Sequence, residues 1–340
     1  MSEKGICFGG SLIVDQVKMI HAYPDPGNLA VIESVHRGTG GMAANNAVNL
    51  RVLDASLPVG VVGRVGDDGN GGFVLEQLAA CGANVDMIRR VPGATSFTDV
   101  MTLTSTGART FFHAYGVCAD LSPADFDCDA IADAYACAQV GYALLLATLD
   151  AADGEFGTKL GRVLAGLRSR GVRTAIDVVS EQSDRFATVV RPALPHVDDL
   201  ILNEVEAGGV TGLSARDGSG RLQWAALRRM VGALFGYGVR RTVVIHAPEG
   251  CVGAAAGGEV LRQPSHAIPD EQIVGTTGAG DAFCSGVLYG LFRERPLAEA
   301  LKLGTAMAGL NLFDPTCTGA ARPLAAVEAF MKDTPYRAAQ

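Results

Sequence analysis

Short β-rich runs alternate with segments of helical periodicity along most of this chain. That alternation predicts a doubly wound α/β fold, a mostly parallel sheet with helices on both faces. Gly5–Ile13 reads as the first strand. Val59–Val62, Val140–Leu146, Val172–Val179, Leu200–Leu202 and Thr242–His246 read as further core strands. Helices are expected over Met42–Leu53 and Asn70–Cys81. Leu222, Ala226, Met230, Ala233 and Leu234 recur at the spacing of a helix with one buried face. Two stretches break the alternation. Asp15–Arg37 and Ser96–His113 carry mixed polarity, and neither is long enough to hold a core alone. They are expected to meet as one small β-sheet at the mouth of a cleft. There it would act as a lid and offer an exposed face to a second subunit. The division that follows is an α/β domain over 1–14, 38–95 and 114–335, and a lid over 15–37 and 96–113.

Composition narrows the function. With 340 residues, 48% hydrophobic and 19% charged, the chain can bury a large core as one large or two medium domains. A formal charge of −8 argues against a nucleic-acid partner. Any phosphate must be held by local devices and not by a general positive field. The start, Met1–Phe8, has no apolar signal core, and the apolar stretch around Ala143–Ala147 is too short to cross a bilayer. No membrane association is expected. Eight scattered cysteines form no C-x-x-C pair, which fits a reducing cytoplasm.

Candidate chemistry concentrates near the C-terminus, in Gly275-Thr276-Thr277-Gly278-Ala279-Gly280-Asp281-Ala282-Phe283. A glycine-rich turn opening a helix exposes backbone N–H groups and the positive end of the helix dipole, an anion site. Asp281 would repel a phosphate there unless it takes a proton while the N–H groups hold the charge of a transferring phosphoryl group. The plain alternative is a capped helix start. A second signal is Gly38-Thr39-Gly40-Gly41-Met42-Ala43-Ala44-Asn45. Its glycines let a ligand approach the backbone, and Asn45 offers a donor and an acceptor, as polyol recognition requires. An ordinary glycine turn before an amphipathic helix reads equally well from the residues alone.

Taken together, the two segments resemble the signature motifs of the ribokinase-like (PfkB) carbohydrate kinase family, in order and at the usual separation. Gly9–Asp15 is similar to the family's first strand. Val62–Gly71 resembles its VGxVGxDxxG loop, and Asn203–Ala207 its NxxE motif. The resemblance runs from about Gly5 to Ala320. It implies transfer of the γ-phosphoryl of ATP to a hydroxymethyl group, with Mg2+. Carried over, Asp281 is the base, and the N–H groups of Gly278, Ala279 and Gly280 form the anion hole. Asp15, Gly41 and Asn45 hold the acceptor. Asn203 and Glu206 organise Mg2+ through water, and Thr277 and Gly250 lie on the nucleotide side. A homodimer through the lid is expected.

The chain departs from the family pattern in places. Gly275 replaces an Asp that helps bind a monovalent cation, which leaves a potassium site in doubt. Ile245 and Ala247 replace the Thr and first Gly of the nucleotide loop. Met42 stands where some sugar-phosphate kinases carry Lys, and with Ile13 removes polar contacts that ribokinases make. An unphosphorylated sugar or sugar-like acceptor is expected. A nucleoside kinase of the same fold and a non-catalytic sugar sensor are the alternatives. Arg109 either reaches the site from the lid or is a solvated strand charge. Asp150 either points into the acceptor cleft or starts a loop. No histidine spacing suggests a metal site, and Trp224 is assigned to packing.

Overall fold

In the computed structural model, which describes residues 3–181 and 183–338, the chain builds two principal sheets. Residues 1 and 2 of the expected α/β domain and of the Met1–Phe8 segment lie outside the described residues. The first half runs β1 (Gly5–Gly10), β2 (Ile13–Ile20), β3 (Ile32–Gly40), α1 (Met42–Leu53), β4 (Val59–Gly66), α2 (Gly69–Ala80), β5 (Ile88–Val91), β6 (Phe97–Leu103), β7 (Arg109–Ala114), α3 (Cys128–Ala134) and β8 (Tyr135–Ala143). The second half runs α4 (Ala147–Asp150), the short pair β9 (Ala152–Asp153) and β10 (Gly157–Thr158), α5 (Lys159–Ser169), β11 (Arg173–Val178), α6 (Arg191–Ala193), β12 (Asp199–Asn203), α7 (Glu204–Thr211), α8 (Trp224–Gly236), β13 (Thr242–Ala247), β14 (Gly250–Ala255), β15 (Leu261–Pro264), α9 (Ala279–Phe292), α10 (Leu297–Asn311) and α11 (Leu324–Asp333).

Nine strands form the large sheet, in the order β15-β14-β13-β12-β11-β8-β1-β4-β5. Its β5-to-β13 part is parallel, and β14 and β15 add an antiparallel edge. One apolar cluster packs α3, α5, α7 and α8 on one face, and a second packs α1, α2, α9, α10 and α11 on the other. Burial on both faces explains why the central strands read as mostly apolar runs. The smaller sheet has the order β3-β2-β6-β7, assembled from the two excursions that break the α/β alternation.

The expected first strand is two strands. β1 stops at Gly10, and Ile13 already belongs to β2 of the small sheet. Residues 5–14 are all buried, so hydrophobicity shows no break where the chain changes sheet. The expected strand at Val140–Leu146 is displaced. It starts at Tyr135, ends at Ala143, and turns at Leu144, whose φ is 80°. Helix α1 covers the expected span, and α2 begins and ends one residue earlier than expected. Leu222 precedes α8 instead of joining it. No helix among the described residues is long and apolar enough to cross a membrane, and all eight cysteines are unpaired.

Candidate active site

A cleft of 430 Å3 opens at the C-terminal ends of the parallel strands, where open α/β sheets bind ligands. Its floor is the start of α9. Gly278 precedes that helix with φ 80°, and a Cβ there would lie 2.5 Å from the Cα of Cys317. Only glycine fits this turn. Ala279 already donates its N–H to the Thr276 carbonyl at 3.3 Å and does not line the cleft, whereas Gly278 and Gly280 do. Asp281 follows in the first turn. Tyr142 donates its O–H to Asp281 Oδ1 at 2.6 Å, and Asn45 Nδ2 donates to Oδ2 at 2.7 Å. Burial raises the Asp281 pKa, and these two donors pull it back down.

The glycine turn before α1 faces that floor. Gly41 has φ 80°, and a Cβ on it would meet the Ser11 carbonyl at 2.4 Å. Asn45 sits one turn into α1. Its oxygen accepts from Thr39 Oγ1 at 3.2 Å, which fixes the amide so that the nitrogen points at Asp281. The donor expected to face the acceptor therefore bonds Asp281. Asp15, on β2, lines the cleft and accepts from Cys317 Sγ at 3.2 Å. Burial pushes its pKa up to about 7, with the Asp281 charge adding to the rise. Ile13 lines the cleft as expected. Met42 does not, because its side chain is wholly buried in the core on the α1 face.

Asn203 and Glu206 also line the cleft, and they form a capping box at the start of α7. Asn203 Oδ1 accepts from the N–H groups of Val205 and Glu206, and Glu206 Oε2 accepts from the Asn203 N–H at 3.0 Å. Ser180 Oγ and Asn203 Nδ2 each donate to Glu206 Oε1 at 2.7 Å. Glu206 is nonetheless raised to about 7, by burial first and then by Glu204 and Asp281. Asp177, at the end of β11, is raised well above the carboxylate range by burial and by the charges of Asp281 and Glu206. Three mutually repelling carboxylates on one cleft suit a divalent cation. Among the described residues no group of three His, Cys, Asp or Glu is arranged to hold a metal ion.

Other expected positions fall as follows. Gly250 does not line the cleft. It opens β14 with φ 151°, and a Cβ would lie 2.5 Å from the Gln263 carbonyl, so hairpin geometry explains the glycine. Asp150 is buried outside the cleft, where its Oδ1 accepts from the Leu144 N–H at 3.1 Å. Arg109 does reach the site. Its Nη1 donates to Thr277 Oγ1 at 2.8 Å, which ties β7 of the small sheet to the turn before α9. It is the one Lys or Arg among the described lining residues. Tyr142 and Asp177 were not singled out from sequence. Both are polar residues near the C-terminal ends of strands, and that position was the available signal.

Comparison with known proteins gives the family and the fold. The family model for pfkB family carbohydrate kinase matches residues 4–323. A 5-dehydro-2-deoxygluconokinase of Geobacillus kaustophilus is 25% identical over 301 residues, covering 86% of this chain and 84% of that protein. A ribokinase of Arabidopsis thaliana is 24% identical over 307 residues, covering 88% and 74%. Among solved structures, Arabidopsis thaliana ribokinase complexed with ribose and ATP superposes with a TM-score of 0.77 at 21% identity, covering 97% of this chain and 99% of that one. An E. coli protein assigned as a ribokinase II, in complex with ATP and Mg2+, gives 0.76 at 18% identity, covering 97% and 99%. The chain belongs to the pfkB family and is a carbohydrate kinase.

Proposed function

We propose that this protein transfers the γ-phosphoryl of ATP to a hydroxymethyl group of a sugar or sugar-like molecule, with Asp281 as base. The observation that carries this reading is Asp281 itself, held at both oxygens by Tyr142 and Asn45 at the floor of the cleft. An alcohol lies roughly 12 pKa units above a carboxylate, so making a free alkoxide would cost about 16 kcal/mol. Asp281 instead orients the hydroxyl and accepts its proton late. The acceptor oxygen bonds to the γ-phosphorus as the bond to the departing ADP oxygen breaks. Gly278 and Gly280 offer the N–H groups of the anion hole, and Asp15 binds an acceptor hydroxyl. Asn203, Glu206 and Asp177 would hold Mg2+ through water. The ion would neutralise charge on the phosphates. We read the small sheet as a lid over 15–37 and 96–113, whose Arg109 adds positive charge beside the transferred group.

The test is Asp281→Asn. Turnover is expected to fall by about 10²–10⁴-fold with ATP binding nearly unchanged. Near-normal turnover would remove the role. Ile13 and Phe111 line the cleft with apolar surface, which keeps a nucleoside acceptor in view. Adenosine kinase 2 of Arabidopsis thaliana is 30% identical over 142 residues, covering 41% of this chain and 40% of that protein. ADP release measured across hexoses, pentoses, sugar acids and nucleosides separates the two.

A further inference from the structure

Two histidines line the cleft, His113 and His246. His113 Nδ1 shares a hydrogen bond with Thr98 Oγ1 at 3.0 Å. Neither ring nitrogen of His246 has a hydrogen-bond partner among the described residues. His246 lies near the end of β13, in register with Asn203 of β12. It therefore stands on the Asn203 side of the cleft. Its ring packs on Phe283 of α9, with centroids 4.5 Å apart and planes tilted by 35°. A Cβ built on Gly280 would stand 3.7 Å from His246 Cε1. That carbon joins Nδ1 to Nε2, so both nitrogens lie close to the glycine turn.

Packing alone does not call for an imidazole here. Leucine or phenylalanine would cover Phe283 without leaving polar atoms to satisfy. Burial lowers the pKa of His246 to about 4, and in either charge state the ring carries an N–H donor. The turn beside it is short of donors. The Ala279 N–H is engaged by the Thr276 carbonyl at 3.3 Å, which leaves the anion hole the amides of Gly278 and Gly280. We propose that His246 supplies a further donor, its ring N–H bonding an oxygen of the γ-phosphoryl group beside Gly280. The inference rests on the kinase reading and names a residue that binds the transferred group. A bond from a ring N–H to an anionic oxygen is charge-assisted, and the stacking on Phe283 holds the donor in place before the ligand arrives.

Binding of the β,γ-imido analogue of ATP with Mg2+ is measured by calorimetry in the natural protein and in His246→Phe. That variant keeps a ring on Phe283 and removes both nitrogens. The Kd of the analogue is expected to rise by about tenfold, the worth of one hydrogen bond to a charged group, and that of ADP to change by less than about twofold. His246→Gln carries an N–H donor and should recover most of the affinity. In His246→Phe kcat should fall while the KM of the acceptor is unchanged. An equal Kd for the analogue in the natural protein and in His246→Phe overturns the proposal. An equal rise for analogue and ADP also overturns it, by placing the ring on the inner phosphates. Should His246→Phe fail to fold, spectra of the natural protein with 15N-labelled histidine decide. The ring-nitrogen signals that are lost in His246→Gln must move with the analogue and stay still with ADP. A natural protein that binds neither nucleotide would overturn the kinase reading itself, whereas unchanged binding in the variant leaves that reading standing.

Discussion

Asp281 depends on two neighbours that come from distant parts of the chain. The Tyr142 hydroxyl and the Asn45 amide donate to its two oxygens and so favour the carboxylate against the burial that raises its pKa. Removing one donor should therefore push that pKa further up. Since turnover requires the deprotonated base, Tyr142→Phe is expected to move the acidic limb of the kcat/KM–pH profile to higher pH. The shift should be about one unit, the worth of one hydrogen bond to a charged group. An unmoved limb would mean that Tyr142 only fills space. Asp281 and Asn45 were legible in sequence because glycine turns announced them. Tyr142 was not, because a tyrosine in an apolar strand reads as core until its hydroxyl is seen to meet a carboxylate.

The NxxE segment shows how one element can serve stability and chemistry at once. Asn203 and Glu206 satisfy the start of α7 as a capping box, and the same Glu206 faces the cleft with a pKa near 7. A carboxyl raised on folding binds more protons in the folded state than in the unfolded one. The stability it lends is present below its unfolded pKa of 4.5 and is lost as pH climbs through about 7. Over that window the loss is up to about 3 kcal/mol. Glu206→Gln keeps the box without the charge. In the absence of nucleotide it is expected to raise Tm at pH 8, to match the natural protein near pH 4, and to reduce turnover. Equal melting temperatures at pH 8 would argue against a charge burden at this carboxyl. The motif was readable from its spacing. Asp177 was not, because the effect of the Glu206 charge on it depends on the β11–β12 pairing that sets two strand ends side by side.

At the scale of the molecule, Arg109 on β7 ties the small sheet to the turn before α9 through Thr277. Arg109→Gln is expected to cut kcat by about tenfold to a hundredfold with little change in Tm, because in the proposed reaction the guanidinium acts on developing phosphoryl charge. An unchanged kcat would reduce it to a strand charge. The β2–β3 connection exposes Leu29 (84%) and Val31 (70%), and β3 beside it exposes Val35 (56%), apolar surface that calls for a covering. We propose that a second copy covers it, and light scattering at working concentration should give a dimer, with a monomer refuting this. Periodicity, glycine turns and the spacing of a few polar residues sufficed in the sequence for the α/β class, the two-excursion sheet, and the glycine turn that carries Asp281 into the cleft. These are local features, written in neighbouring residues and in the burial each must find. Only the tertiary structure decided where the first strand changes sheet, that Met42 and Asp150 face away from the cleft, and that Arg109 faces into it. Those outcomes follow from pairing and packing between segments far apart in the chain, and no local pattern of residues carries that information.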